Sequence, residues 1–418
     1  MTNLEVRIRI AQSLAEISAE AWNNCAGYTA KRTIKAIHEV DPTAGNNSCT
    51  ELATRGQRNN PFISHEFLSS LEESASVGGR TGWQPRHLLA EDTDGVLLGA
   101  APCYVKSHSR GEYVFDHGWA EAFERAGGDY YPKLQIAVPF TPVTGPRLLS
   151  APGRLADPVR GALADALVEI TRASELSSAH VTFLTEQECG SLGKRRFLQR
   201  TDQQFHWENA NYTSFDDFLN HLASRKRKTI KRERKEALSA GIEVCWLTGS
   251  DLTEAVWDSF FSFYMETGSR KWGRPYLTRE FFSIVGQKMS DRILLVMARR
   301  AGRWIAGAIN FIGADTLFGR NWGAIEHHPF LHFELCYYQA IDYAIANGLK
   351  RVEAGAQGEH KLARGYLPHI TYSAHFIANP ALHRAVADYL SRERAYVRAA
   401  ARELAAATPF RKDLVEQD

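Results

Sequence analysis

Several common signals are missing from this chain. No apolar run approaches the roughly 20 residues that a bilayer-spanning helix needs. The opening MTNLEVRIRIAQSLAEISAEAW alternates first like a strand and then like a helix. It lacks the basic start, apolar core and cleavage site of a signal peptide, so a cytoplasmic location is expected. Cysteine is sparse: six residues (Cys25, Cys49, Cys103, Cys189, Cys245, Cys336) are scattered without a CxxC pair. They read as reduced, mostly buried small hydrophobes. Cys336 sits in HFELCYY among aromatic residues, with nothing beside it to mark a thiolate. A metal motif is also missing. His327, His328 and His332 with Glu334 match neither HExxH nor any Cys/His pattern, and Pro329 breaks a helix between the histidines, so no metal is expected. Glu334, in the first turn of the next helix, suits the helix dipole or contact with an amine. No low-complexity tract of consequence is present.

What remains is an ordinary globular composition: 418 residues, 44% hydrophobic and 23% charged, long enough for two domains. Nine Trp and fifteen Tyr suit aromatic-lined clefts. Two segments resemble each other, VLLGAAPCYVKSHSRGEYVFDHGWA (96–120) and WIAGAINFIGADTLFGRNWGA (304–324). Each reads as an antiparallel hairpin closing on F-x-x-x-W, Phe115/Trp119 and Phe318/Trp322. A helix follows each, 157–176 and 332–347, and then a short strand, 180–184 and 351–354. The chain thus divides into an N-terminal strand and helix with a polar insertion (1–60), a first unit (61–212), a basic linker helix (213–241, helical from 214 to 240), a second unit (242–378) and a closing helix (379–418).

Formal charge is only +2, yet RKRKTIKRERK (225–235) holds eight Lys or Arg and one Glu. That run is +7, which leaves the rest of the chain at −5. Arg225, Lys226, Arg227, Lys228, Lys231, Arg232, Arg234 and Lys235 wrap most of a helix, with little acid to offset their repulsion. We read them as donor-phosphate ligands, against the alternative of a solvated face.

Chemistry concentrates in FLHFELCYYQAIDYAIANGLKRVEAGAQGEHKLARGYLPHITYSAHFI (330–378), which reads as helix, buried strand, polar turn and strand. Glu353, Gln357, Glu359, His360, Lys361 and Arg364 crowd around Gly355, Gly358 and Gly365, just past a strand's C-terminal end. HFELCYYQAIDYAIANGLKRVEAGAQGEHKLARGYLP, NPFISHEFLSSLEES (60–74), the block 111–149 and RKWGRPYLTREFF (270–282) resemble a bacterial family of predicted N-acyltransferases. That family is related to the Fem-type peptidoglycan aminoacyltransferases. The resemblance covers about residues 60–378 and implies an α/β (α+β) fold. It would comprise tandem GNAT-like domains, each a mixed twisted sheet flanked by helices.

An amine attacking an acyl carbonyl needs a base for its proton and donors for the oxyanion. Glu353, His360 and Asp116 are the catalytic candidates. Tyr131, Lys133, Arg270, Lys271, Trp272, Arg320, Glu334, Gln357, Lys361 and Arg364 are substrate-binding candidates. If the two repeats face each other, Asp116 and Arg320 look into one cleft. A Q/R-x-x-G-x-G/A loop, the usual pyrophosphate cradle, is absent from GAIEHHPFLHFE and from TPVTGPRLLSAPGRLADP. This shifts weight from acetyl-CoA toward another donor. The expectation is an N-acyltransferase working by direct attack, Fem-like, with aminoacyl-tRNA or acyl-CoA as co-substrate and no tightly bound cofactor. Its partners would be an amine-bearing acceptor and tRNA. The alternatives are acyl-CoA-dependent acetylation of a small amine, and a non-catalytic module that binds nucleic acid or an envelope precursor.

Overall fold

A computed structural model describes residues 5–28, 60–272, 275–355 and 358–411, those at 269–272 by backbone alone. The polar insertion expected at 31–60 therefore lies almost wholly outside the described residues.

In the first half the strands are β1 (Arg7–Ala11), β2 (Trp83–Pro85), β3 (His87–Glu91), β4 (Leu97–Ala101), β5 (Cys103–Lys106), β6 (Lys133–Ile136), β7 (Leu149–Ser150), β8 (Ser178–Leu184) and β9 (Leu198–Glu208). The second half supplies β10 (Ile242–Leu247), β11 (Ile293–Arg300), β12 (Arg303–Ile312), β13 (Thr316–Ala324), β14 (Arg351–Glu353) and β15 (Leu367–Ile377). They form a four-stranded sheet, β1-β3-β4-β7, and an eleven-stranded sheet, β10-β11-β12-β13-β14-β9-β15-β8-β6-β5-β2. Some strands are covered on both faces. Ile293–Ala298 of β11 and all of β8 are buried.

Each half has one parallel pair joined through a helix: β6 and β8 around Ala156–Ala173, β13 and β14 around the helix that starts at Leu331 and ends at Ala346. This is a mixed α/β fold of two similarly built units. The units exchange their last strands. The first half's β9 pairs with β14, and the second half's β15 pairs with β8. β9 and β15 pair with each other, Leu367 opposite His206 and His375 opposite Leu198, so their ladder is symmetric about its middle. Each half completes the other's sheet, and neither can bury its own edge alone.

The second expected hairpin is present as β12–β13, but the first is not. β4 and β5 together match β12, kinked at Pro102, which has no N–H for the ladder and whose carbonyl accepts from Ala137 N. The partner of β5 is β6, after a long excursion. Phe115 is exposed in that excursion, and Trp119 lies in the helix His117–Arg125. The expected helix 214–240 is two helices, Phe215–Asn220 and Ser224–Ala237. Between them Leu222 bridges Phe410 and Ala223 N donates to Pro409 O, so the C-terminal segment takes the backbone groups that would have continued the helix. The closing helix is Pro380–Ala406, capped by the Asn379 side chain.

Candidate active site

Glu353 ends β14, directly opposite His206 of β9 and Phe318 of β13. Its neighbour Val352 points into the core under the helix from Leu331, so alternation turns Glu353 to the other face. There it lines a cavity of about 300 Å³ with Asn60, Thr144, Thr185, Asp315, Arg351 and His369. Both halves supply wall, and the volume is at the small end for a ligand pocket. Glu353 is 6% exposed, and among the described residues its Oε2 has no hydrogen-bond partner. Oε2 lies 3.9 Å from His206 Nε2. Burial pushes the Glu353 carboxyl up to about 7, against the opposing pull of Arg351 and Arg320. Burial also holds His206 well below the usual imidazole range, and its ring stacks on His369 at 4.3 Å. A carboxyl that titrates near neutrality beside a neutral imidazole, in a hollow open to a ligand, can accept an amine proton.

His360 and Arg364 of the polar turn do not join it. His360 bonds the Tyr337 hydroxyl at 2.9 Å, on the helix face of the sheet. Arg364 makes a two-pronged pair with Glu233 at 2.9 and 3.0 Å and lies 3.5 Å over the Phe333 ring. Lys361 donates to the Gly355 carbonyl, and burial lowers its ammonium to about 8. His360 and Arg364 are therefore drawn away from Glu353 to the helix-side groups Tyr337, Glu233 and Phe333, while Lys361 stays close enough for its charge to be felt at His206 and Arg320. Arg364 is held by a carboxylate of this chain rather than left for a substrate. Gln357 lies outside the described residues, as do the side chains of Arg270, Lys271 and Trp272. Glu334 is fully buried, paired with Arg234 and bonded by Gln339.

Asp116 and Arg320 do not share a cleft. Asp116 accepts from Lys133 at 2.5 Å and from Tyr130 at 2.7 Å; the Lys133 ammonium also meets Glu112 and Ser109, each at 2.8 Å. All of this is buried; Tyr131, half-buried, touches it through Ser109. Burial alone would raise Asp116, but Lys133 and His180 outweigh it and hold the carboxyl well below the usual range. Burial likewise disfavours the Lys133 charge, and Glu112 with Asp116 overcomes it and raises the ammonium. Arg320 instead donates to the Phe140 carbonyl at 2.9 Å and lies over the Phe62 ring.

The halves' symmetry reveals a correspondence the sequence hid. Both connecting helices reach their next strand five residues later, Ala173 to Ser178 and Ala346 to Arg351, through a left-handed residue, Glu175 or Gly348. His180 thus stands where Glu353 stands. Its cross-strand partner is His375, as His206 is for Glu353. His180 and His375 meet Nδ1 to Nδ1 at 2.6 Å, and burial lowers His180 to about 3. The first half therefore keeps a closed polar core at the place where the second half has an open hollow.

On the basic helix Ser224–Ala237, Ile230, Glu233 and Ala237 are buried. Arg225, Lys228, Arg232 and Lys235 are exposed along the opposite side. Lys231 pairs with Asp216, and Arg234 with Glu334 and Asp342. These two help hold the helix in place. Among the described residues, no group of three or more His, Cys, Asp or Glu is placed to hold a metal ion, and no helix is long and apolar enough to cross a membrane.

The model of a family described as peptidoglycan biosynthesis/recognition, FemAB-like, matches residues 13–412. The chain belongs to the FemAB-like family. No curated protein matches it. Among solved structures, the crystal structure of FemX is 12% identical, with a TM-score of 0.47, over 77% of this chain and 93% of that one. A tandem GNAT protein from the clavulanic acid biosynthesis pathway is 11% identical, TM-score 0.45, over 90% and 99%. L-PGS from Bacillus licheniformis is 7% identical, TM-score 0.47, over 77% and 95%. Likenesses this shallow transfer neither a substrate nor a residue's role.

Within this FemAB-like chain, sequence reasoning missed His206, His369, Asn310 and Thr144. Gln204, His206 and Glu208 alternate in QQFHWE and mark one face of a strand, a period-two signal that was there to be read. Thr144 and Asn310 carry no such signal; each leaves a buried oxygen without a partner near the hollow.

Proposed function

We propose that this FemAB-like chain is an N-acyltransferase and that Glu353 is its general base. The observation that carries this is the Glu353 carboxylate at the wall of the 300 Å³ hollow, its Oε2 without a partner among the described residues and the group raised to about 7 by burial. The amine nitrogen attacks the acyl carbonyl and a C–N bond forms. Glu353 takes the proton the amine sheds. The tetrahedral intermediate then collapses by breaking the bond to the leaving oxygen or sulfur, which receives a proton in turn. No covalent enzyme intermediate is needed. His206, stacked on His369, positions the carboxylate and stays neutral beside it.

For the donor we favour aminoacyl-tRNA. The exposed stripe Arg225, Lys228, Arg232 and Lys235 runs along one side of a 14-residue helix and suits a polyphosphate backbone. An acyl-CoA donor is the second reading, and it must do without a glycine-rich cradle before the helix at Leu331. Retention of charged bulk tRNA on the purified chain at moderate salt, with acetyl-CoA as competitor, separates the two. Salt-sensitive retention that fails when the stripe is replaced by alanine supports tRNA. Absence of retention removes the tRNA donor and leaves an acyl-CoA panel. Transfer activity undiminished in Glu353→Gln would remove the base assignment.

A further inference from the structure

Among the described residues, Arg320 is a charged group without a counter-ion. No carboxylate among them lies within ion-pair distance, and its hydrogen bond goes to a neutral carbonyl, that of Phe140. Burial lowers its guanidinium from the ordinary value. Arg320 is half-buried; a guanidinium offers five donors in a planar fork, and one partly withdrawn from water without a counter-ion carries a cost. The carboxylate whose field it feels, Glu353, titrates near neutrality and so offsets it only in part.

Its surroundings make a built recess rather than an exposed side chain. A break in the β12–β13 register falls between Ala308 and Asn310, opposite Gly319 and Trp322, and Arg320 lies within it. Such a bulge re-aims a side chain. Arg320 reaches across to the loop of the first half at Phe140 and lines a small hollow of about 20 Å³ with Phe62, Phe140, Thr141 and Asn321. Its remaining walls are mostly apolar, and the volume admits about one water-sized group, such as a single oxygen of an anion, against the guanidinium. The Glu353 hollow is next door. The two share the 139–146 loop as one wall and the β13 strand as another. The Phe62 and Phe318 rings, 5.4 Å apart, stand between them. Phe318 is paired directly with Glu353 in the ladder, and Arg320 follows it by two residues.

We infer that Arg320 binds an anionic group, carboxylate or phosphate, carried by the acceptor amine, with the amine at Glu353 and the anion on the far side of the Phe62–Phe318 pair. The acceptor is then a zwitterion with a spacer between its ends, rather than a simple amine. This deepens the acyl-transfer reading and rests on it for the amine end alone.

The test is calorimetric titration of the full chain with γ-aminobutyrate, aminopropylphosphonate and n-butylamine. Both zwitterions should bind roughly 10- to 100-fold tighter than butylamine, the range for a charge-assisted Arg bond. Preference for the phosphonate would assign a phosphate, and preference for the carboxylate a carboxylate. Arg320→Met should erase the gap and leave butylamine unchanged. Should that variant not fold, Arg320→Lys keeps a donor for Phe140 and should narrow the gap by losing the fork. Equal binding of all three probes, binding of none, or a gap unchanged in the Arg320 variants would overturn the inference. Glu353→Gln should keep the gap while losing transfer. A Glu353→Gln enzyme that still transfers, with the gap intact, would remove the base assignment and spare the anion site.

Discussion

Replacing Glu353 by Gln should make the protein more stable above neutrality while disabling it. The folded state raises this carboxyl from its ordinary 4.5 to about 7. The sign follows from proton linkage. Between those values the folded chain holds a proton that the unfolded chain has released, so stability falls as pH rises from about 4.5 to about 7 and is level above that. Every tenfold difference in proton affinity between the two states is worth about 1.4 kcal/mol. The ionised carboxylate therefore costs about 3 kcal/mol at about pH 8, and under about 1 kcal/mol at about pH 5. Glutamine keeps the shape and removes the ionisation. Urea denaturation of the two proteins should show Glu353→Gln ahead by about 3 kcal/mol at the higher pH, and the two nearly level at the lower. Transfer should drop roughly 100- to 10,000-fold, the usual contribution of a general base. In the unmodified enzyme, kcat/KM should rise with one proton lost near pH 7. A stability difference that does not change with pH would refute the reasoning, because it would mean that the carboxyl ionises as it does in water.

Other perturbations address the surrounding structure. Glu233→Ala leaves Arg364 buried without its partner and should cost about 3–5 kcal/mol in chemical denaturation; a loss below about 1 kcal/mol would show that Arg364 finds water. Replacing Arg225, Lys228, Arg232 and Lys235 together by alanine should leave the melting temperature alone. It should also lower the slope of log affinity for tRNA against log salt by about 3. An unchanged slope would place the nucleic acid elsewhere. Gly323→Ala puts a methyl onto the Phe263 backbone carbonyl, so β13 and the helix Glu254–Trp272 must part. Soluble, cooperatively melting protein from that variant would contradict so close an approach of strand and helix.

Local patterns decided the elements, because a helix or strand records its period in its own residues. The helix ending at Ala346, the short β14, the β12–β13 hairpin and the basic helix were all legible that way. The first hairpin misled because its apolar triplet and Phe-x-x-x-Trp copy the second, whereas Pro102 and the excursion before β6 redirect the partner of β5. Glu353 was legible as a polar residue just past a buried strand. His360 and Arg364, its neighbours in sequence, bond to Tyr337 and Glu233 instead, since proximity in sequence across a turn says nothing about which face of the sheet each side chain takes. Tertiary structure alone decided that Asp116 has Lys133 for a partner while Arg320, among the described residues, has no carboxylate. It also decided that β9 and β15 change places between the halves, bringing His206 to Glu353 and His375 to His180. That exchange joins residues from opposite halves of the chain, and no local period encodes such a pairing.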